Sequence, residues 1–216
     1  MTVALKSSNK PSIRLAILLL AAGEGSRLGG YPKALLQKDG ESLLRRFCLS
    51  AQHLDPVKLV VITGFYSEAV EGEVRVLKQE GLNLVECIHN PSPERGQSSS
   101  VRLGIESIKS DYDVLMIALC DQPKIGAPEI EALLSQFNNR LPGHEIVLPM
   151  VNGQRGNPVL FSKKAIDDIL KIPGMVCRPY MDQHPELIKY FETHQSAYIL
   201  DVDTADDIQR LGLDAI

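Results

Sequence analysis

The chain has 216 residues, 44% of them hydrophobic, and 23 Lys+Arg against 27 Asp+Glu give a net charge of −4. That length suits one domain with its own core, which excludes wholesale disorder. The mild acidity argues against a general nucleic-acid binder, and no apolar run approaches the roughly 18–20 residues that span a bilayer.

In chain order, residues 1–12 are polar with one proline and read as a flexible tail. Lys6, Lys10 and Arg14 ahead of Leu15-Ala-Ile-Leu-Leu-Leu-Ala-Ala22 have the outline of a secretory signal. The same run fits a fully buried strand, and the glycine cluster that ends it is too specialised for a cleavage flank. The strand is the reading adopted. Further strands are predicted at 57–63, 83–88, 114–119 and 145–148, with amphipathic helices at 42–52, 67–80, 98–109 and 127–137. Beyond Pro149 the pattern gives strands at 157–161 and 196–200 and helices at 162–170 and 204–211, with Pro173-Gly174 and Pro179 as breaks.

Such alternation implies βαβ units and a mostly parallel sheet covered on both faces. The expected fold is one three-layer α/β/α domain over 13–216. In such sheets ligands sit beyond the carboxyl ends of the strands, so the loops after Leu20, Ile88, Leu119, Leu148 and Leu200 should line one crevice. Cys48, Cys87, Cys120 and Cys177 are scattered singly, and the five histidines supply no HxxxH. A structural zinc site is not expected, and reduced thiols in a cytoplasmic protein are.

The densest chemistry lies in Ala21-Ala22-Gly23-Glu24-Gly25-Ser26-Arg27-Leu28-Gly29-Gly30-Tyr31-Pro32-Lys33. Glycines let a backbone turn sharply and aim successive N–H groups at one anion, and Arg27 and Lys33 add two cations. A loop of this kind after a buried strand suits phosphate. A Walker A loop, GxxxxGK[ST], occurs nowhere. A dinucleotide fingerprint needs GxGxxG opening a long helix, whereas the spacing here is GxGxxxG with Pro32 inside the would-be helix. The remaining reading is an open loop that wraps a nucleoside triphosphate and then delivers a lysine.

Asp121 emerges at the end of a buried strand, where a carboxylate suits a hard cation or caps a turn. Asp201 and Asp203 lie two residues apart on an expected extended segment, so either could serve as a second ligand. Ser98-Ser99-Ser100 opens a helix, where one serine should act as N-cap. Arg95 and Arg102 could reach phosphate or sit in water. Arg155 and Arg178 are forks that suit phosphate oxygens, or are solvated charges.

The order of these segments resembles a known family. Leu20-Ala-Ala-Gly-Glu-Gly-Ser-Arg-Leu-Gly-Gly…Pro32-Lys33 is similar to the LAAGxGxRxG…PK signature of nucleotidyltransferases with a GT-A-like Rossmannoid fold. Arg95-Gly-Gln-Ser-Ser-Ser-Val-Arg102, Leu119-Cys-Asp-Gln-Pro123, Arg155-Gly-Asn-Pro158 and Asp201-Val-Asp-Thr204 follow in order. Together they resemble the MobA-like NTP transferases, and within them the molybdenum-cofactor cytidylyltransferases. Those read LAAG where the guanylyltransferases read LAGG. They often read RGHP where this chain has Arg155-Gly156-Asn157-Pro158, a departure that bears on the acceptor.

The resemblance implies transfer of CMP from CTP, with GTP the second choice, to a phosphate-bearing acceptor such as molybdopterin. Mg²⁺ is the implied metal, on Asp121 and Asp203, and a recipient molybdoenzyme the implied partner; nucleic acid and membranes are not expected. Leu20, Ala21, Ala22, Gly23, Gly25 and Ser26, with Gln97, Ser98 and Ser100, would hold the nucleotide. Arg27, Lys33 and Asp121 would be catalytic, and Arg155 and Arg178 would bind the acceptor. Residues 13–123 would form mainly the nucleotide half and 124–216 mainly the acceptor half. The competing readings are another acceptor, such as a sugar phosphate, and a non-catalytic nucleotide-binding chaperone for a cofactor. The methyl group of Ala22 should narrow the passage for the base and favour a pyrimidine.

Overall fold

The apolar run after Arg14 forms β1 (Leu15–Ala21), the strand about which the molecule is organised. A computed structural model describes residues 13–215; the tail expected at 1–12 lies outside them. The successive elements are β2 (Gln37–Lys38), β3 (Glu41–Ser42), α1 (Leu43–Gln52), β4 (Lys58–Thr63), α2 (Ser67–Gln79), β5 (Val85–His89) and α3 (Gln97–Ser107). Then come β6 (Val114–Leu119), α4 (Ala127–Asn138), β7 (Ile146–Val151), β8 (Gln154–Arg155), β9 (Val159–Ser162) and α5 (Lys163–Lys171). The last are α6 (Cys177–Gln183), β10 (Ile188–Thr193) and α7 (Ala205–Leu211).

The main sheet runs in the order β10-β7-β9-β6-β1-β4-β5, with β8 paired to β7. Neighbours of β1 are parallel to it on both sides, whereas β9 runs antiparallel between β6 and β7. The sheet is thus mixed but mostly parallel, with helices on both faces as expected. Side chains of β1 alternate between the two cores. Leu15, Ile17 and Leu19 pack with residues of α1, α2 and α4; Ala16, Leu18 and Leu20 pack with those of α3, α5 and α6. Each fully buried leucine contributes roughly 1.5–3 kcal/mol, which explains why a sequence with good helix propensity is held as a central strand. Arg14, which could have read as part of a leader, bonds Asp113 at the amino end of β6 through its backbone N–H at 2.9 Å and its guanidinium.

Two expectations after Pro149 are corrected, and one strand is added to them. The strand expected at 196–200 is a short 3-10 turn, Ser196–Ile199. Its burial is real, since Ala197 and Tyr198 are core residues, but a turn buries them as well as a strand does. The actual last strand, β10, lies at the sheet edge with only Ile188 fully buried, and the charged Lys189 and Glu192 break its apolar pattern, so it left little strand signal. Pro179 does not break structure: it sits in the first turn of α6, where the backbone N–H has no intrahelical partner to lose.

Candidate active site

Backbone conformation shapes the glycine loop. Leu28 and Gly30 both donate backbone N–H bonds to the Gly25 carbonyl, at 2.8 and 3.1 Å, closing a tight turn over Ser26–Leu28. Gly25 has φ 63°, and a Cβ there would lie 2.1 Å from the Tyr31 carbonyl oxygen, so no side chain fits. Pro32 then opens a second 3-10 turn, Lys33–Leu35, whose first residue carries the lysine inward. From outside the loop, the Tyr66 hydroxyl reaches the carbonyl oxygen of Glu24 at 2.9 Å and that of Gly30.

Lys33 joins three distant parts of the chain. Its Nζ donates to Asp203 Oδ1 at 2.6 Å and Asp121 Oδ2 at 3.1 Å, while Arg27 pairs with the other oxygen of Asp203 at 3.1 Å. Asp121 follows β6. Asp203 arrives because Val202 donates its N–H to the Asp121 carbonyl at 3.0 Å and buries its side chain with Leu36, Leu43 and Leu213. Thr204 and Asp207 then cap α7 reciprocally, which fixes where the segment turns away. Asp201 is exposed and bonds neither cation, although its charge acts on Asp121.

Burial works against the charge on Lys33, but the bonds to Asp203 and Asp121 prevail and hold its pKa above the ordinary lysine value. The two carboxylates diverge. Burial raises Asp121 above the usual range despite Lys33, whereas the Lys33 hydrogen bond lowers Asp203, whose side chain is 39% exposed against 22% for Asp121. Two carboxylates around one cation suit Mg²⁺, which is commonly bound through one or two carboxylates and completes its shell with phosphate oxygens and water.

Beside this cluster lies a cavity of about 530 Å³, lined by Leu20, Ala21, Ala22, Gly23, Lys33, Gln97, Ser100 and Asp121 among others. A second, of about 340 Å³, contains Ser98, Arg155 and Arg178 and shares Leu20, Gln97 and Leu119 with the first. Most of the residues expected to hold nucleotide therefore share one wall, and both expected acceptor arginines share the neighbouring one. Gly25, Ser26 and Arg27 shape the loop without lining either cavity. The loops after β1, β5 and β6 face the first cavity; Leu148 faces the second.

Two roles are corrected. No serine caps α3: its N-cap is Gly96, and Ser99 donates its hydroxyl to the Gly96 carbonyl at 2.8 Å. Arg102 lines neither cavity, and its side chain, paired with Glu106, is only 21% exposed. Its guanidinium donates to the carbonyls of Ile169, Leu170, Ile172 and Met175, tying α3 to the end of α5 and the approach to α6.

Several residues at the site carried no sequence signal. Buried Asn90 donates to the hydroxyls of Ser99 and Ser100, both at 2.9 Å, and so orients the start of α3. Gln122 donates to the Tyr198 carbonyl at 3.0 Å, holding the turn that carries Asp121. Asp182 on α6 pairs with Arg155 at 2.5 Å. Phe65, Pro93 and Glu94 line the first cavity. Only the -Asp-Gln-Pro- string hinted at any of these, since the others depend on elements far apart in sequence.

Fold and site together define a class, the nucleotidyltransferase type of α/β domain. The chain belongs to the MobA-like NTP transferase domain family, whose model matches residues 17–186. Among curated proteins it is similar to the bifunctional protein GlmU of Prochlorococcus marinus (strain MIT 9211), 27% identical over 149 residues, which are 68% of this chain and 31% of that protein. The chain spans about a third or less of the length of the curated relatives it matches. Among solved structures, Rv0371c of Mycobacterium tuberculosis H37Rv superposes with TM-score 0.71 at 20% identity, covering 93% of this chain and 98% of that one. It has also been solved in complex with manganese. The 4-diphosphocytidyl-2C-methyl-D-erythritol synthase of Anaerococcus prevotii gives TM-score 0.71 at 10% identity, covering 92% and 94%. Among the described residues, no helix is long and apolar enough to cross a membrane.

Proposed function

We propose that the protein transfers CMP from CTP to a phosphate of an acceptor, molybdopterin by the motif resemblance, with release of pyrophosphate. The observation that carries the reading is the Lys33 ammonium shared by Asp121 and Asp203 at a donor-sized cavity that adjoins a second one bearing two arginines. An acceptor phosphate oxygen attacks the α-phosphorus, forming a new P–O bond as the bond to the bridging oxygen of pyrophosphate breaks. A phosphate nucleophile is already ionised near neutral pH, so no protein base is needed. Positioning and charge neutralisation are the tasks left to the chain.

Each group has one of these tasks. The loop around Gly25 presents backbone N–H groups to the triphosphate, and Arg27 and Lys33 hold its charge. Asp121 and Asp203 would hold Mg²⁺, which when bound neutralises charge developing on the phosphates. Lys33, held between the two carboxylates, is placed to offer its ammonium to the phosphates beside them. Arg155, steadied by Asp182, and Arg178 receive the acceptor phosphate. The apolar lining of the second cavity, including Leu148, Val159, Phe161 and Met181, suits an acceptor with a flat, weakly polar body better than a bare sugar phosphate.

Thermal shift with the four ribonucleoside triphosphates and Mg²⁺ tests the donor. A ligand at 100 times its Kd adds about 2.7 kcal/mol of stability. CTP should stabilise most. A larger effect of GTP would overturn the cytidylyl assignment, and no shift with any triphosphate would overturn nucleotidyl transfer.

A further inference from the structure

The turn between β4 and α2, Gly64-Phe65-Tyr66, belongs to no motif that the resemblance supplied, yet both ends of the donor site meet it. A Cβ on Gly64 would lie 2.7 Å from the Ala22 carbonyl oxygen, 2.8 Å from the Ala22 Cβ and 2.9 Å from the Pro93 Cβ. The turn is therefore pressed against the end of β1 without spare space. Ser67 donates its N–H to the Gly64 carbonyl at 3.1 Å and Val70 to that of Tyr66 at 3.1 Å, so the next two residues are fixed as well.

Phe65 lines the first cavity while 43% exposed, one of few large apolar side chains left so open among the described residues. A phenyl ring held at the wall of a cavity keeps a hydrophobic cost in water that a planar base would remove. Tyr66 faces the other way. Its hydroxyl spans the carbonyls of Glu24 and Gly30, the two ends of the turn that folds over Gly25.

We propose that this turn is a second nucleotide-recognition element, in which Phe65 is the platform for the base and Tyr66 positions the glycine loop for the phosphates. The assignment rests on the nucleotidyltransferase reading and deepens it. It divides the labour within one dipeptide: Phe65 acts on the nucleoside, and Tyr66 acts on the phosphates through the backbone it holds.

Calorimetric titration with CTP and with inorganic tripolyphosphate, each with Mg²⁺, separates the two roles. Phe65→Leu keeps apolar bulk but removes the ring. It should weaken CTP about fivefold or more, the scale of one base–aromatic stack, and leave tripolyphosphate unchanged. Phe65→Tyr should restore CTP binding. Tyr66→Phe removes only the hydroxyl and should weaken CTP and tripolyphosphate by the same factor. Unchanged CTP affinity in Phe65→Leu, or an equal loss for tripolyphosphate, would overturn the platform. Unchanged tripolyphosphate affinity in Tyr66→Phe would overturn the positioning role. Failure of the parent protein to bind CTP would instead overturn the functional reading beneath both.

Discussion

The two adjoining cavities are built on opposite plans. The first gathers the turn after β1 and several small residues, Ala21, Ala22, Gly23, Ala34 and Gly96, beside Lys33, Phe65 and Asp121. The second is walled by side chains from α3, β6, β7, β9 and α6, with Val101, Ile117, Leu148, Val159 and Met181 among them and Arg155 and Arg178 as its cations. Main-chain donors suit a ligand part common to every nucleotide, the phosphates. A wall of side chains can be re-specified by substitution without moving the backbone, which suits the partner that differs between enzymes of one fold.

If that contrast holds, substitutions should sort by cavity. The largest effect is expected from Asp121→Asn, which should abolish Mg²⁺-dependent transfer because an amide lacks the charge to hold the cation; titration of Mg²⁺ onto the nucleotide complex would read it. The same variant should melt no lower than the parent at pH 7. Burial raises the folded-state pKa of Asp121, so its charged form weakens the fold above that pKa, and removing the charge removes the cost. Wild-type metal affinity in this variant would reduce Asp121 to a turn residue.

Next, Lys33→Ala should lower turnover on the order of 10²–10³ through loss of a charge aimed at the transition state. Pyrophosphate release at saturating substrate is the measurement, and an unchanged rate would remove Lys33 from the mechanism. Arg155→Ala should act on the other cavity alone, raising the acceptor KM roughly tenfold, the loss expected for a charge-assisted hydrogen bond. Its Kd for CTP should stay at the parent value; a matching loss there would mean that the two cavities are not functionally separate.

Gly64→Ala addresses the turn packed behind the wall of the first cavity. Overpacking against a carbonyl and a proline ring should cost about 1–3 kcal/mol, read by urea unfolding, and a neutral result would show the turn is free to move. The smallest effect is expected at the opposite end of the sheet. Hydrogen bonds from Arg14 lower the Asp113 pKa, so the stability they give is present above the ordinary carboxylate pKa and lost as pH falls through the folded value. Asp113→Asn should therefore melt slightly lower than the parent at pH 7, approach it as the pH falls from about 4 through the lower folded value, and leave ligand binding at both cavities intact.

The sequence alone determined most of the first half of the molecule, the short β2–β3 pair apart, and the loop at its centre. β1, β4, β5 and β6 and helices α1 to α4 fall within a few residues of their predicted places, because each pairs a strong hydrophobic period with a clear stop. The glycine loop was legible for the same local reason: Gly25 and Pro32 act on neighbours in the chain. Only tertiary structure decided what meets the loop. Asp203 reaches Lys33 through one backbone hydrogen bond from Val202 and a small cluster of leucines, not from the strand end that its surroundings suggested. β10 exists because β7 offers it an edge, and α6 because its proline falls where no N–H is needed. Arg102, a phosphate candidate by charge, is committed to four carbonyls that lie between 67 and 73 residues away in the chain. Local periodicity encodes which element forms. Which side chain faces which depends on partners brought together only by packing, and no window of sequence contains both.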